Sequence, residues 1–186
     1  MTAPPSIAIV YHSGYGHTAK VAQAVAAGSQ AVLIAIDEHG QLPADGWNRL
    51  ESARAIVFGS PTYMGSVSWQ FKRFMDASAA AWSQQAWKNK LAAGFTNSAG
   101  INGDKLATLH ALFTLSQQHG MLWVGTGLMP SNVKASARDD INYLASFAGL
   151  MTATPADASP DEMSAGDLRT ATLFGQRIAD TVRHLN

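Results

Sequence analysis

The chain has 186 residues, 47% of them hydrophobic, and its 13 basic and 13 acidic residues cancel to a formal net charge of zero. This length predicts a single domain over residues 1–186, and the balanced charge gives no support to nucleic-acid binding, which requires a basic patch. Because the chain has no cysteine, disulfides, thiolate nucleophiles, cysteine-ligated iron–sulfur clusters and thiol-based zinc sites are excluded.

The first residues, MTAPPS, contain no basic segment followed by an apolar core, so we expect no secretory signal peptide. No apolar run is long enough to cross a membrane. These features predict a cytoplasmic protein that does not insert into a membrane, and no residue pattern indicates a metal site.

Apolar runs of strand length recur along the chain. Continuous rather than alternating apolarity is typical of strands that are buried on both faces of a parallel sheet. Because helical segments separate the runs, the sequence predicts an α/β fold, a doubly wound five-stranded parallel sheet with helices on both faces. The five runs are Ile7–Tyr11, Val32–Ile36, Ala55–Phe58, Leu91–Phe95 and Met121–Val124.

Helices are predicted over residues 18–28, 67–81 and 104–119, the last with Leu106, Leu109 and Phe113 on its apolar stripe. A final helix is predicted to start at Ser159-Pro160-Asp161-Glu162, which combines a capping serine, a first-turn proline and a glutamate three residues after the cap. Its apolar stripe is predicted to comprise Leu168, Ala171, Phe174, Ile178, Val182 and Leu185.

Residues 126–158 show no helical period and are predicted to form a long loop between the fifth strand and the last helix. Loops of this length on α/β proteins often cover a ligand, and the alternative is a disordered decoration. Residues 37–52 are predicted to be only a short connection.

The segment HSGYGHT, residues 12–18, joins the first predicted strand to the first predicted helix. The unpaired N–H groups and the dipole of a helix start favour an anion, and Ser13 and Thr18 add hydroxyl donors. No lysine or arginine occurs in residues 1–19. The segment therefore predicts a phosphate monoester held by hydroxyl and N–H groups.

Two kinds of cofactor could place a phosphate group at this loop, a dinucleotide with its pyrophosphate or a flavin mononucleotide with its terminal phosphate. Residues 14–19 match the dinucleotide pattern G-x-G-x-x-A, and Asp37 follows the second strand at about the distance expected for a ribose contact. A flavin mononucleotide (FMN) site would instead use three loops, which follow the first, third and fourth strands and are rich in small and hydroxyl residues. A glycine turn that binds nothing is the third interpretation.

Three segments resemble the flavodoxin-like NAD(P)H:quinone oxidoreductases of the tryptophan-repressor-binding protein A type. They are HSGYGHTAKVAQAVAAG, GSPTYMGSVSWQFKRFMDAS and KLAAGFTNSAGINGD, and the later segments QQHGMLWVGTG and SPDEMSAGDLRTATLFGQRIADTV share the resemblance. The resemblance extends over nearly the whole chain apart from residues 37–52 and 128–155. It implies a flavodoxin-like fold, FMN as cofactor, NAD(P)H as electron donor and a quinone-like acceptor. A flavodoxin-type electron carrier with no substrate pocket of its own is the alternative.

The resemblance also implies a set of site residues. Tyr15 would contact the nicotinamide nucleotide, Trp82 would form a wall of the substrate site, and His119 would donate a hydrogen bond or a proton to the acceptor. Residues implied to surround the phosphate are Ser13, Gly14, Tyr15, Gly16, His17 and Thr18. One edge of the flavin ring would be lined by Pro61, Thr62, Tyr63, Met64 and Gly65, and the other by Thr96, Asn97, Ser98, Ala99, Gly100 and the residues to Gly103.

Several observations leave simpler interpretations open. Trp82 could instead pack at a helix end. His119 could instead be a cationic side chain that the dipole favours at a helix C-terminus. The resemblance implies a homo-oligomer, a dimer or a tetramer, but residues 37–52 lack the insertion that helps to build the family's tetramer. Thr18 and this short connection favour the electron carrier.

Overall fold

The computed structural model describes residues 7–185, so the opening segment MTAPPS lies outside the described residues. The strands, in chain order, are β1 (Ile7–Tyr11), β2 (Val32–Ala35), β3 (Ala55–Tyr63), β4 (Ser66–Val67), β5 (Leu91–Ser98), β6 (Leu122–Trp123) and β7 (Leu150–Ala153). The α-helices are α1 (His17–Ser29), α2 (Gly46–Ser52), α3 (Trp69–Ala77), α4 (Ala79–Ser83), α5 (Lys105–Gln118) and α6 (Ala165–His184).

The central sheet is parallel, with strand order β2-β1-β3-β5-β6. This is the flavodoxin-like doubly wound order, in which the chain changes direction across the sheet between β1 and β3. The predicted fold class is therefore confirmed. β4 adds a short antiparallel hairpin to the end of β3.

The fifth position of the sheet is shared by two segments. β6 pairs with the start of β5, where Leu91 faces Leu122, and β7 pairs with its end, where Ser98 faces Ala153. The prediction of a loop throughout 126–158 was therefore wrong, because residues 150–153 complete the sheet beside the last residues of β5. Their backbone takes up edge hydrogen bonds that the short β6 leaves unpaired.

Three other boundaries differ from the predictions. The connection 37–52 contains α2, and Ser78 divides the predicted helix 67–81 into α3 and α4. Residues 160–162 form a separate 3₁₀ turn with the expected capping box, after which Ser164 caps α6 by accepting a hydrogen bond from the Asp167 N–H. The start signal at Ser159 was therefore real, but it belongs to this turn rather than to the last helix.

The core forms two layers, one on each face of the sheet. One layer packs α1 and α6 on β1, β3 and β5, and the other packs α3 and α5 on the opposite face. α1 and α6 approach closely because Gly28 and Gly175 each face the backbone of the other helix, where a Cβ atom would collide. Three residues of the predicted apolar stripes are instead exposed: Leu106, Phe113 and Leu185.

Candidate functional site

A cleft opens at the edge of the sheet where β1, β3 and β5 end. The cleft has a volume of about 170 Å³ and is open to solvent at its mouth. It lies at the point where strand order reverses, the usual ligand position in open α/β sheets. We call it the carboxyl-edge cleft, and its lining residues are Tyr15, His17, Thr18, Pro61, Thr62, Tyr63, Asn97, Ser98, Ala99, Thr154 and Ala156.

The first wall is the start of α1. Gly16 caps this helix with a φ of 89°, a left-handed conformation that glycine adopts at little cost. The Ser13 hydroxyl oxygen accepts a hydrogen bond from the Ala19 N–H at 3.1 Å, which leaves the hydroxyl hydrogen to be donated elsewhere. Among residues 7–185, no protein acceptor pairs with the N–H groups of residues 15–18. The cleft therefore presents unpaired donors at a helix N-terminus.

His17 connects this wall to the segment that follows β7. Its Nε2 lies 2.7 Å from the Ala158 carbonyl oxygen, so the ring donates a hydrogen bond to that carbonyl. Thr18 is buried at the base of the cleft, and its hydroxyl has no partner among the described residues.

The second wall is the end of β3. Tyr63 packs edge-on against Tyr15, with ring centroids 6.2 Å apart, and burial raises the pKa of its phenol, so the phenol is neutral near pH 7. Pro61 and Thr62 also line the cleft, as predicted. Met64 is fully exposed at the tip of the β3–β4 hairpin, and neither it nor Gly65 lines the cleft.

Thr96 belongs to the interior rather than to the cleft. It is fully buried, and its hydroxyl lies 2.8 Å from that of Thr62, which in turn donates to Thr108 at 2.8 Å. This hydroxyl chain ties β3, β5 and α5 together below the cleft. Thr96 lies two residues before Ser98 on the same face of β5 and is therefore deeper along the strand, so, contrary to the prediction, its side chain does not line the cleft.

The third wall is the end of β5. The side-chain oxygen of Asn97 accepts hydrogen bonds from the hydroxyls of Thr152 and Thr154, at 2.8 and 3.1 Å. The amide nitrogen of Asn97 has no acceptor among the described residues, so it is a donor available to a ligand. Ser98 and Ala99 line the cleft as predicted, whereas Gly100 does not.

Sequence reasoning missed Thr154 and Ala156, which reach the cleft because β7 ends beside β5. The signal was present in the run GLMTAT, residues 149–154, where apolar and β-branched residues are typical of a strand.

Trp82 and His119 lie elsewhere. They line a groove between α3, α4 and α5, with Met75, Ser78, Ala79 and Leu115, which we call the amino-edge groove. α5 begins beside the carboxyl-edge cleft and runs about 20 Å to the other edge of the sheet, where Gly120 accepts a hydrogen bond from the Asn89 N–H just before β5. Within one chain the structure does not bring these two side chains to the predicted loops.

His119 is held as part of the core. Its Nε2 lies 3.0 Å from the Ser78 hydroxyl oxygen, and that hydroxyl donates to the Met75 carbonyl, so the histidine is the donor. The ring stacks on Trp87 with centroids 4.2 Å apart. Burial lowers the pKa of His119 to about 4, so the ring is neutral near pH 7 and the cationic interpretation was wrong.

The carboxylate of Asp37 is used by its own turn. One oxygen accepts hydrogen bonds from the N–H groups of His39 and Gln41, at 2.9 and 2.7 Å, and these bonds lower its pKa. Asp37 therefore stabilises its own turn, and it does not line the carboxyl-edge cleft.

Comparisons with known proteins agree with this geometry. The family model for NADPH-dependent FMN reductase matches residues 16–134. The chain belongs to that family and, within it, to the flavodoxin-like WrbA type. A WrbA-like flavodoxin from Agrobacterium tumefaciens is 46% identical, with a TM-score of 0.80 and coverage of 98% of this chain and 99% of that one.

Curated relatives divide between two descriptions. "Flavodoxin FldP" of Pseudomonas aeruginosa is 49% identical over 92% of this chain and 93% of the relative. An "NAD(P)H dehydrogenase (quinone)" of Solidesulfovibrio magneticus is 31% identical over 97% of this chain and 98% of the relative. The family is therefore one of FMN-binding, flavodoxin-like oxidoreductases. Within residues 7–185, no helix is both long and apolar enough to span a membrane.

Proposed function

We propose that the protein is an FMN-dependent oxidoreductase that passes a hydride from NAD(P)H through FMN to a quinone-like acceptor. The carboxyl-edge cleft is the observation that carries this proposal, because it combines unpaired N–H donors at one end with a lining that has no carboxylate, ammonium or guanidinium group. The unpaired N–H donors suit a phosphate, and the uncharged lining suits a flat, uncharged ring.

The phosphate would be held at the start of α1. Four N–H groups, those of residues 15–18, have no other acceptor among the described residues, and the hydroxyls of Ser13 and Thr18 add two donors. The helix dipole favours the negative charge at this end. These donors compensate for the absence of lysine and arginine from residues 1–19.

The ring would lie between the ends of β3 and β5. Pro61, Thr62 and Ala99 offer small or apolar surface, and the amide nitrogen of Asn97 offers a hydrogen-bond donor. A donor fixed beside the ring stabilises negative charge that develops there when electrons arrive. Bound FMN supplies the hydride and electron transfer itself.

The second substrate would stack at the mouth of the cleft. Tyr15 is 70% exposed and is braced edge-on by Tyr63, so an aromatic wall is available to a nicotinamide or a quinone. Trp82, 47% exposed in the amino-edge groove, would reach a cleft only in another copy of the chain. The proposal therefore includes a homo-oligomer, a dimer or a tetramer, which sedimentation of the FMN-loaded protein tests.

A flavodoxin-type electron carrier is the second candidate function. It is favoured by the placement of Trp82 and His119 away from the cleft. In a single chain these two residues therefore cannot line a substrate site beside the cofactor. The 49% identical relative that is described as a flavodoxin supports the same candidate.

Steady-state oxidation of NADH and of NADPH with benzoquinone by the purified, FMN-loaded protein separates the two candidates. The proposed enzyme turns over with these components alone. Turnover that appears only after a partner reductase is added would contradict it and would support the carrier.

A further inference from the structure

Lys105, the first residue of α5, is fully buried. Its ammonium donates hydrogen bonds to the Ser98 hydroxyl at 2.9 Å and to the Gly100 carbonyl at 2.5 Å. A buried ammonium costs free energy unless its charge is compensated, so its presence at this position calls for a physical reason.

The charge of Lys105 is not cancelled by a partner of its own. Two other charged groups act on it, Asp167 of α6 and Arg138 of the segment before β7. Those two form a two-pronged ion pair with each other, at 2.8 and 2.6 Å. Together the three side chains leave one net positive charge beneath the β5–α5 loop.

This charge lies directly behind the wall of the carboxyl-edge cleft. Ser98 lines the cleft on one side and accepts the Lys105 hydrogen bond on the other. Because the lining residues carry no ammonium, guanidinium or carboxylate, the field of Lys105 reaches the cleft without a charged side chain between them. A unit charge at about 10 Å in a partly buried site, with an effective dielectric constant of about 20, changes an equilibrium by roughly tenfold.

We propose that Lys105 is a positioning residue of the FMN site, one that acts through Ser98 and the β5–α5 loop to favour reduced over oxidised FMN. Reduction adds negative charge to the cofactor, and a fixed positive charge behind the wall stabilises the state that carries more of it. The inference rests on the proposed function, since it requires FMN in the carboxyl-edge cleft.

Burial lowers the pKa of Lys105 to about 8, Asp167 raises it and Arg138 lowers it. The ammonium is therefore mostly charged at pH 7 and mostly neutral by pH 9. This gives the inference a pH readout that needs no substitution.

The test compares Lys105→Met, Lys105→Gln and Lys105→Arg with wild type. Lys88→Met is the matched control, because Lys88 is exposed at the amino edge and its loss changes the net charge equally. For each protein, thermal unfolding checks the fold, fluorescence titration gives the dissociation constant of oxidised FMN, and a redox titration gives the midpoint potential. Together these yield the ratio of the dissociation constants of oxidised and reduced FMN.

We expect Lys105→Met and Lys105→Gln to lower this ratio about tenfold at pH 7, which is about 30 mV for a two-electron couple. Lys105→Arg and Lys88→Met should leave it unchanged. The difference between wild type and Lys105→Met should shrink as the pH rises through about 8, because Lys105 then loses its proton.

An unchanged ratio in both neutral variants would overturn the inference while FMN binding, and with it the proposed function, still stood. A shift in Lys105→Met alone would also overturn it, since the glutamine amide keeps a donor and the effect would then come from the hydrogen bond rather than the charge. Failure of the wild type to bind FMN would overturn both proposals. If a Lys105 variant did not fold, the wild-type pH profile would decide.

Discussion

The carboxyl-edge cleft and the amino-edge groove lie at opposite ends of the same sheet and differ in how their polar groups are satisfied. In the cleft, the N–H groups of residues 15–18 and the amide nitrogen of Asn97 face a concave surface without acceptors among the described residues. In the groove, His119 is 2% exposed and bound to Ser78, and its second ring nitrogen is buried out of reach of a ligand.

The comparison teaches that chemically versatile residue types do not by themselves mark a site. Tryptophan and histidine in the groove complete the packing of a helix end, whereas the backbone and a few small polar side chains make the cleft. Donors of a helix start and of an amide that converge on one concave surface can bind an anion there, and this convergence is what the groove lacks.

The largest expected effect tests whether His119 in the groove is a buried, neutral side chain. Its pKa is about 4 in the folded chain, below its ordinary value of 6.5, so the unfolded chain binds the proton more readily. The neutral His119 ring therefore contributes to the free energy of unfolding above pH 6.5. This contribution, up to about 3 kcal/mol, is lost as the pH falls toward 4. Urea unfolding should show that the difference in free energy of unfolding between wild type and His119→Gln becomes smaller as the pH is lowered. A difference that is constant between pH 7 and 4 would contradict the buried, neutral ring.

A matched pair of alanines compares the two surfaces directly. Ala99 is exposed in the cleft and Ala79 is exposed in the groove. Ala99→Glu places a carboxylate and added bulk where the ring would lie, and we expect it to weaken FMN binding about hundredfold. Ala79→Glu should leave the dissociation constant unchanged in a fluorescence titration. Equal effects of the two variants would remove the distinction between the surfaces.

Thr18→Val tests whether the phosphate lies at the start of α1, within reach of the Thr18 hydroxyl. Loss of one hydroxyl donor to a charged group should weaken FMN binding about tenfold. Riboflavin, which lacks the phosphate, should bind wild type and variant alike. Thr114→Val, in the amino-edge groove, is the control for the loss of a threonine hydroxyl. A loss that is equally large for riboflavin would show that Thr18 supports the fold or the ring rather than the phosphate.

Trp82→Ala should have the smallest effect on the cofactor. Because Trp82 lies with His119 in the groove, we expect its removal to change the FMN dissociation constant less than about twofold at a concentration where the chain is monomeric. If Trp82→Ala weakened FMN binding as much as Thr18→Val does, the groove would affect FMN binding in the cleft of the same chain.

The sequence predicted the strands and the first loop well because both depend on local signals. Continuous apolar runs mark buried strands, and Gly16 in a small, polar segment marks the start of a helix. Pro61, Thr62 and Asn97 line one cleft because the carboxyl ends of parallel strands meet at one edge, and their contact with a flavin ring stays a prediction.

The remaining features depend on contacts distant in sequence. β7 was missed because its four residues, although apolar and β-branched, are too few to be distinguished from a loop without their pairing with the end of β5. Thr96 was misplaced because a motif does not state how deeply along a strand a side chain is buried. His119 was expected beside the acceptor because the resemblance implied it, whereas the length of α5 takes it to the other edge of the sheet within one chain.

The most direct measurement is a crystal structure of the chain with FMN. We predict that the phosphate lies within hydrogen-bond distance of the N–H groups of residues 15–18 and that the ring lies in the carboxyl-edge cleft beside Asn97. FMN in the amino-edge groove, or a phosphate held away from the start of α1, would contradict it.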